Sequence, residues 1–152
     1  MTHRPRQPPK TPGTFDPFRL SSERGEITGS LDVAKSDRLA DRLAEGPGSV
    51  AWRIAGTKDS MGRPALSIVM SGQVPLECQR CLAQFDLPVD QRTLTLLAKS
   101  EADADALDAG SDEEVLVADR ALDPIELVED ELLLTLPYAP MHADGDCEQA
   151  KA

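Results

Sequence analysis

Between residues 66 and 78 the apolar side chains Leu66, Ile68, Met70, Val74, Leu76 and Cys78 fall on even positions, while Ser67, Ser71, Gln73 and Glu77 take odd ones. A period of two over that length predicts a long strand with one wet face. Gly72 marks a candidate bulge, and Pro75 an edge position or a local break in pairing, because proline has no N–H for the ladder. After Cys81 the apolar positions turn odd at Ala83, Phe85, Leu87 and Val89, then even again at Leu94, Leu96 and Ala98. A bulge near residues 91–93 would produce that change of phase. The two runs read as a β-hairpin with Cys78-Gln79-Arg80-Cys81 at its turn.

Upstream, Ile27, Leu31 and Val33 alternate with polar positions around Gly29, and Val50, Trp52 and Ile54 alternate again, which predicts two further half-buried strands. Between them Ser36 offers an N-cap for a short helix carrying Leu39, Ala40 and Leu43 on one face, stopped by Gly46-Pro47-Gly48. Val115 to Val117 makes a short strand. Asp123-Pro124-Ile125-Glu126 is a strong helix start, with a capping Asp, Pro in the first turn and Glu three residues past the cap. That helix runs to Leu136, where Pro137 and Pro140 end it. Its apolar stripe is Ile125, Val128, Leu132 and Leu136, with Leu127 and Leu134 opposite, so it is expected to be buried from two directions.

These elements predict an α+β fold: an antiparallel sheet of about five to seven strands packed against the C-terminal helix, with a C-x-x-C hairpin knuckle that the C-terminal tail approaches. Residues 1–19 read as a disordered, basic, Pro-rich arm, since Pro5, Pro8, Pro9 and Pro12 come with almost no apolar side chains to offset ordering entropy. Residues 20–148 form a single domain, residues 99–114 an acidic solvated loop or weak helix within it, and residues 149–152 a tail.

Charge changes the picture of what this domain can bind. The chain of 152 residues carries 16 Lys and Arg against 27 Asp and Glu, a formal net charge of -11. Within residues 1–19, Arg4, Arg6, Lys10 and Arg19 stand against Asp16 alone, so the arm is +3 and the remainder -14. An acidic body repels phosphate backbones. With one Trp, one Tyr and three Phe, base-stacking platforms are also poorly supplied. No apolar run reaches the roughly 20 residues of a membrane-spanning helix, and the start lacks the apolar segment of a signal peptide, so the expected setting is cytoplasmic and no membrane partner is expected.

In a reducing compartment an odd count of three cysteines favours metal or redox use of the close pair. A thioredoxin-like thiol enzyme needs its C-x-x-C at a helix N-terminus. Strand patterns on both sides of Cys78 and Cys81 weigh against it. A zinc site needs two further ligands, and "MHADGDC" supplies His142 and Cys147, completing an accepted tetrahedral set of three sulfurs and one nitrogen, with Asp144 or Asp146 as substitutes for His142. Against this stands the plain alternative of small, semi-buried thiols. Glu126, Glu129, Asp130 and Glu131 invite an acid–base reading, but Glu126 belongs to the cap and Asp130 to a solvated face. Glu129 and Glu131 lie nearer the apolar stripes, where basic groups of a partner can meet them. No Gly-rich phosphate loop or G-x-S-x-G is present, so no catalytic residues and no small-molecule substrate are assigned.

The stretches "VPLECQRC" and "DPIELVEDELLLTLPYAPMHADGDC" resemble the hairpin and the helix-plus-tail motifs of the YceD family, large ribosomal RNA subunit accumulation proteins. The resemblance extends in order and pattern over residues 20–148 and carries over at Cys78, Gln79, Arg80, Cys81, Val128, Glu129, Asp130, Glu131, Leu136, Pro137, Pro140 and His142. It implies a role in synthesis, processing or stability of large-subunit ribosomal RNA, and it does not imply an enzyme. Family members are commonly encoded beside a small zinc-ribbon ribosomal protein, which points to a basic ribosomal protein or large-subunit assembly intermediate as partner. Ribosomal RNA is then reached indirectly, with Gln79, Arg80, Glu129, Asp130 and Glu131 as partner-binding residues. The alternative is direct RNA contact through the basic arm and the knuckle.

Overall fold

The computed structural model describes residues 13–110, 113–137 and 140. Five strands lie side by side in chain order: β1 (Glu26–Asp32), β2 (Ser49–Lys58), β3 (Pro64–Glu77), β4 (Gln84–Ala98) and β5 (Glu114–Val117). β1 to β4 are antiparallel neighbours, whereas β5 runs parallel to β4. The expected all-antiparallel sheet is therefore mixed. The reason is the acidic segment after β4, which crosses back as helix α2 (Glu101–Ala109) and so provides the long connection a parallel pair requires. Ser100 caps α2 through Asp103 N, and the helix buries none of its residues.

The β3–β4 register is continuous from Ala65↔Leu96 to Glu77↔Gln84, so neither Gly72 nor residues 91–93 form a bulge. Gly72 is needed for close approach, since a Cβ there would come within 2.0 Å of the Ser49 carbonyl oxygen. The phase change in β4 comes instead from burial of consecutive residues. Thr95, Leu96, Leu97 and Ala98 are all buried where α2 packs against β4 and β5. Pro75 sits past the end of β2, which stops pairing at Ser49↔Gln73, so it has a strand on one side only. On the other side its carbonyl accepts a 2.9 Å bond from Ala44 N.

Helix α3 (Pro124–Thr135) begins as its sequence dictates, with Asp123 accepting from Ile125 N and Pro124 in the first turn. Val128 and Leu132 are fully buried in the core with Ile54, Ile68, Met70 and Leu76 of the sheet. Leu127 is buried too, but Leu134 is 72% exposed, so the far side of the helix is only partly covered.

Two further expectations change. Residues 13–19 belong to the folded body rather than to the arm: Phe15 and Leu122 exchange two 2.8 Å backbone bonds, and Asp16 caps helix α1 (Pro17–Glu23). α1 lies against β2 at Gly56, where a Cβ would come within 1.9 Å of Leu20 O. The helix expected after Ser36 is replaced by two 3-10 turns, Val33–Lys35 and Asp37–Leu39. Ser36 gives no side-chain cap bond, because its hydroxyl is committed to α3.

Candidate functional site

Cys78 to Cys81 form the turn between β3 and β4, as the alternation predicts. Leu82 N donates to Cys78 O at 2.8 Å and Cys78 N to Ala83 O at 2.9 Å, with Leu82 in the left-handed region at φ 65°. This tight reversal turns both thiols inward against Ala83 and Phe85, while Gln79, Arg80 and Leu82 remain exposed. No helix starts at Cys81, since β4 begins at Gln84, so the backbone dipoles that activate a thioredoxin-type thiolate are missing from this turn. Of the other two candidate zinc ligands, His142 and Cys147, both lie outside the described residues. Pro140 is described, and its carbonyl accepts a 2.8 Å bond from Gln79 N. The chain after α3 thus returns to the C-x-x-C turn. Arg42 Nη2 assists by donating to Pro137 O at 3.4 Å.

The acids of α3 face two ways. Glu129 is only 7% exposed, and both of its oxygens are engaged within the chain. Ser36 Oγ donates to one at 2.6 Å, and Arg38 Nη1 donates to the other at 3.2 Å. Arg38 also reaches Glu126 O and, through Nη2, the half-exposed Asp130. Arg38 is the basic group that Glu129 meets, and it comes from the chain itself. No periodic pattern marks it, because the contact joins residues some 90 positions apart.

Glu131 faces the sheet and is 6% exposed. Burial pushes its carboxyl up to about 7, and the hydrogen bond with and negative charge of Glu114 act in the same direction. Thr93 opposes the shift by hydrogen bonding, and Asp130 adds to it. The two carboxyl groups therefore lie side by side, and the proton that burial favours on Glu131 is the one that lets them hydrogen-bond. Glu114, Ser36 and Arg38 are the residues that sequence reasoning missed.

A mixed five-stranded sheet with helices packed on it and inward-turned thiols at a hairpin defines a small α+β domain. Residues 66–152, more than half of the chain, match the family described as large ribosomal RNA subunit accumulation protein YceD. The chain belongs to that family. It is also 28% identical over 143 residues to the large ribosomal RNA subunit accumulation protein YceD of Haemophilus influenzae, covering 91% of this chain and 80% of that protein. No solved structure matches it.

Proposed function

We propose that this protein supports accumulation of large-subunit ribosomal RNA as a binding protein, not an enzyme, by holding a basic ribosomal protein or an assembly intermediate that contains one. The family name carries the link to ribosomal RNA. The charge carries the mechanism. A body at -14 cannot gain affinity from phosphate neutralisation, but it can hold a basic protein until RNA, with denser charge, displaces it. Among the described residues no helix is long and apolar enough to cross a membrane. The reading sets the protein in the cytoplasm.

We also propose zinc, held by Cys78, Cys81, His142 and Cys147. The support is the inward pairing of two thiols in one tight turn and the docking of Pro140 on Gln79, two residues before His142. Bound there, zinc would fix the turn to the tail by coordination.

Affinity capture with the full chain as bait, followed by mass spectrometry and RNA sequencing across a salt series, tests the partner. The expected result is a basic large-subunit ribosomal protein, retained after ribonuclease treatment and lost as salt rises. Recovery of ribosomal RNA without any ribosomal protein, abolished by the combined Arg4→Ala, Arg6→Ala and Lys10→Ala change, would replace this mechanism with direct RNA contact through the arm.

A further inference from the structure

β5 is an outer strand of the sheet, and Glu114 stands exposed at its start. Behind Glu114 lies Glu131, whose carboxyl is hydrogen-bonded to Glu114 and to Thr93 of β4. Thr95 pairs in register with Glu114 and, by the alternation of β4, shares the face of Thr93. It is 3% exposed, yet among the described residues its hydroxyl has no hydrogen-bond partner. A buried hydroxyl is normally satisfied, so an orphan in register with Glu114, on the strand face whose Thr93 bonds Glu131, calls for a ligand.

The charged influences on Glu131 are all acidic: Glu114 from β5 and Asp130 from its own helix. Arg38, on the opposite side of α3, is committed to Glu129 and Asp130. Among the described residues the site therefore has acceptors in excess and no cation.

We propose that Glu131, Glu114 and Thr95 form a socket for a lysine ammonium of the basic partner. The inference rests on the basic-partner reading and locates one contact of it. The match is one of hydrogen-bonding capacity. An ammonium offers three donors on a slim, flexible stem, and the socket offers two carboxylates and one hydroxyl. Arginine is a poorer occupant, because its planar fork is broad and cannot converge its donors on a point. Glu114 forms the exposed mouth, while Glu131 and Thr95 form the floor. Entry of the ammonium displaces the proton that burial keeps on Glu131, so lysine binding strengthens as pH rises through about 7.

The test uses the full chain and two fluorescein-labelled peptides of equal length, one rich in lysine and one in arginine, followed by fluorescence anisotropy between pH 6 and pH 8. The lysine peptide is expected to bind more tightly at the higher pH. Glu131→Gln should weaken it about tenfold and remove the pH step, whereas Asp105→Asn on α2, which changes net charge equally, should leave it within about twofold. Thr95→Val keeps the charge and should weaken lysine binding with no loss of melting temperature, because it removes a hydroxyl that is unsatisfied without the ligand. Equal effects of Glu131→Gln and Asp105→Asn would overturn the socket while leaving the acidic body as the binding surface. Arginine binding as tight as lysine, with the same dependence on Glu131, overturns the socket's selectivity and with it the proposal. No binding of either peptide removes both the socket and the basic-partner reading.

Discussion

Glu131 ties the stability of the domain to pH in a direction opposite to that of most carboxylates. Its ordinary value is 4.5 and its folded value about 7, raised chiefly by burial and then by Glu114. The folded state therefore holds a proton that the unfolded state has already lost. Stability from this group is fully present below about pH 4.5 and is lost as pH rises through 7. Glu131→Gln keeps the shape without the charge. It should raise stability at pH 8 by about 1 kcal/mol, a figure discounted because Glu114 is solvent-exposed, and have little effect at pH 5. Urea melts of both proteins at the two pH values measure it, and an equal difference at both would show that no charge is involved. The sequence exposed half of this arrangement: an acid beside an apolar stripe is visible in "VEDELLL", but Glu114 reaches it only through the parallel β4–β5 pairing. Periodicity along one segment carries no information about which other segment lies opposite.

Among the elements, those with a local cause were legible and those with a distant cause were not. Alternation marks β2 and β3, and Asp123-Pro124 marks the start of α3, because strand faces and helix caps are set by neighbours in sequence. Turns replace the expected helix at residues 33–39 because Ser36 has a better use than a cap. Its hydroxyl and Arg38 fasten this segment to Glu129, so tertiary bonding overrides the capping preference. The phase change in β4 mimics a bulge in the sequence because burial on both faces erases alternation. The fastening makes a ranked prediction. Arg38→Ala leaves the Glu129 carboxylate buried with one hydrogen bond, and should cost about 2 kcal/mol, less than a fully buried pair because Arg38 is partly exposed. Asp123→Ala, which loses one cap bond, should cost about 1 kcal/mol. In a Glu129→Gln background the cost of Arg38→Ala should fall by half or more. An unchanged cost in that double-mutant cycle would assign the effect to Asp130 and to packing instead.

Across the whole molecule, the acidic body and the returning tail are two consequences of one layout. The C-x-x-C turn lies at the far end of the longest hairpin, and the segment after α3 comes back to it at Pro140. The sequence showed the ligand types but not whether they meet, since about 60 residues separate Cys81 from His142 and closing so long a loop leaves no local pattern. Zinc coordinated by Cys78, Cys81, His142 and Cys147 would staple that loop. Because the ligands do not converge in the unfolded chain, binding energy adds to folding energy. Purified protein should then contain about one zinc per chain. Cys81→Ser should lower both metal content and melting temperature, and a chelator should lower the melting temperature of the wild type but not further lower that of the variant. The comparison separates coordination from packing. Cys81 is 6% exposed, so a serine there costs some stability through burial of a hydroxyl alone, and only the chelator's effect on the wild type reports the metal. Protein that purifies without zinc under reducing conditions, and melts at the same temperature with and without chelator, would leave Cys78 and Cys81 as small apolar side chains filling the turn.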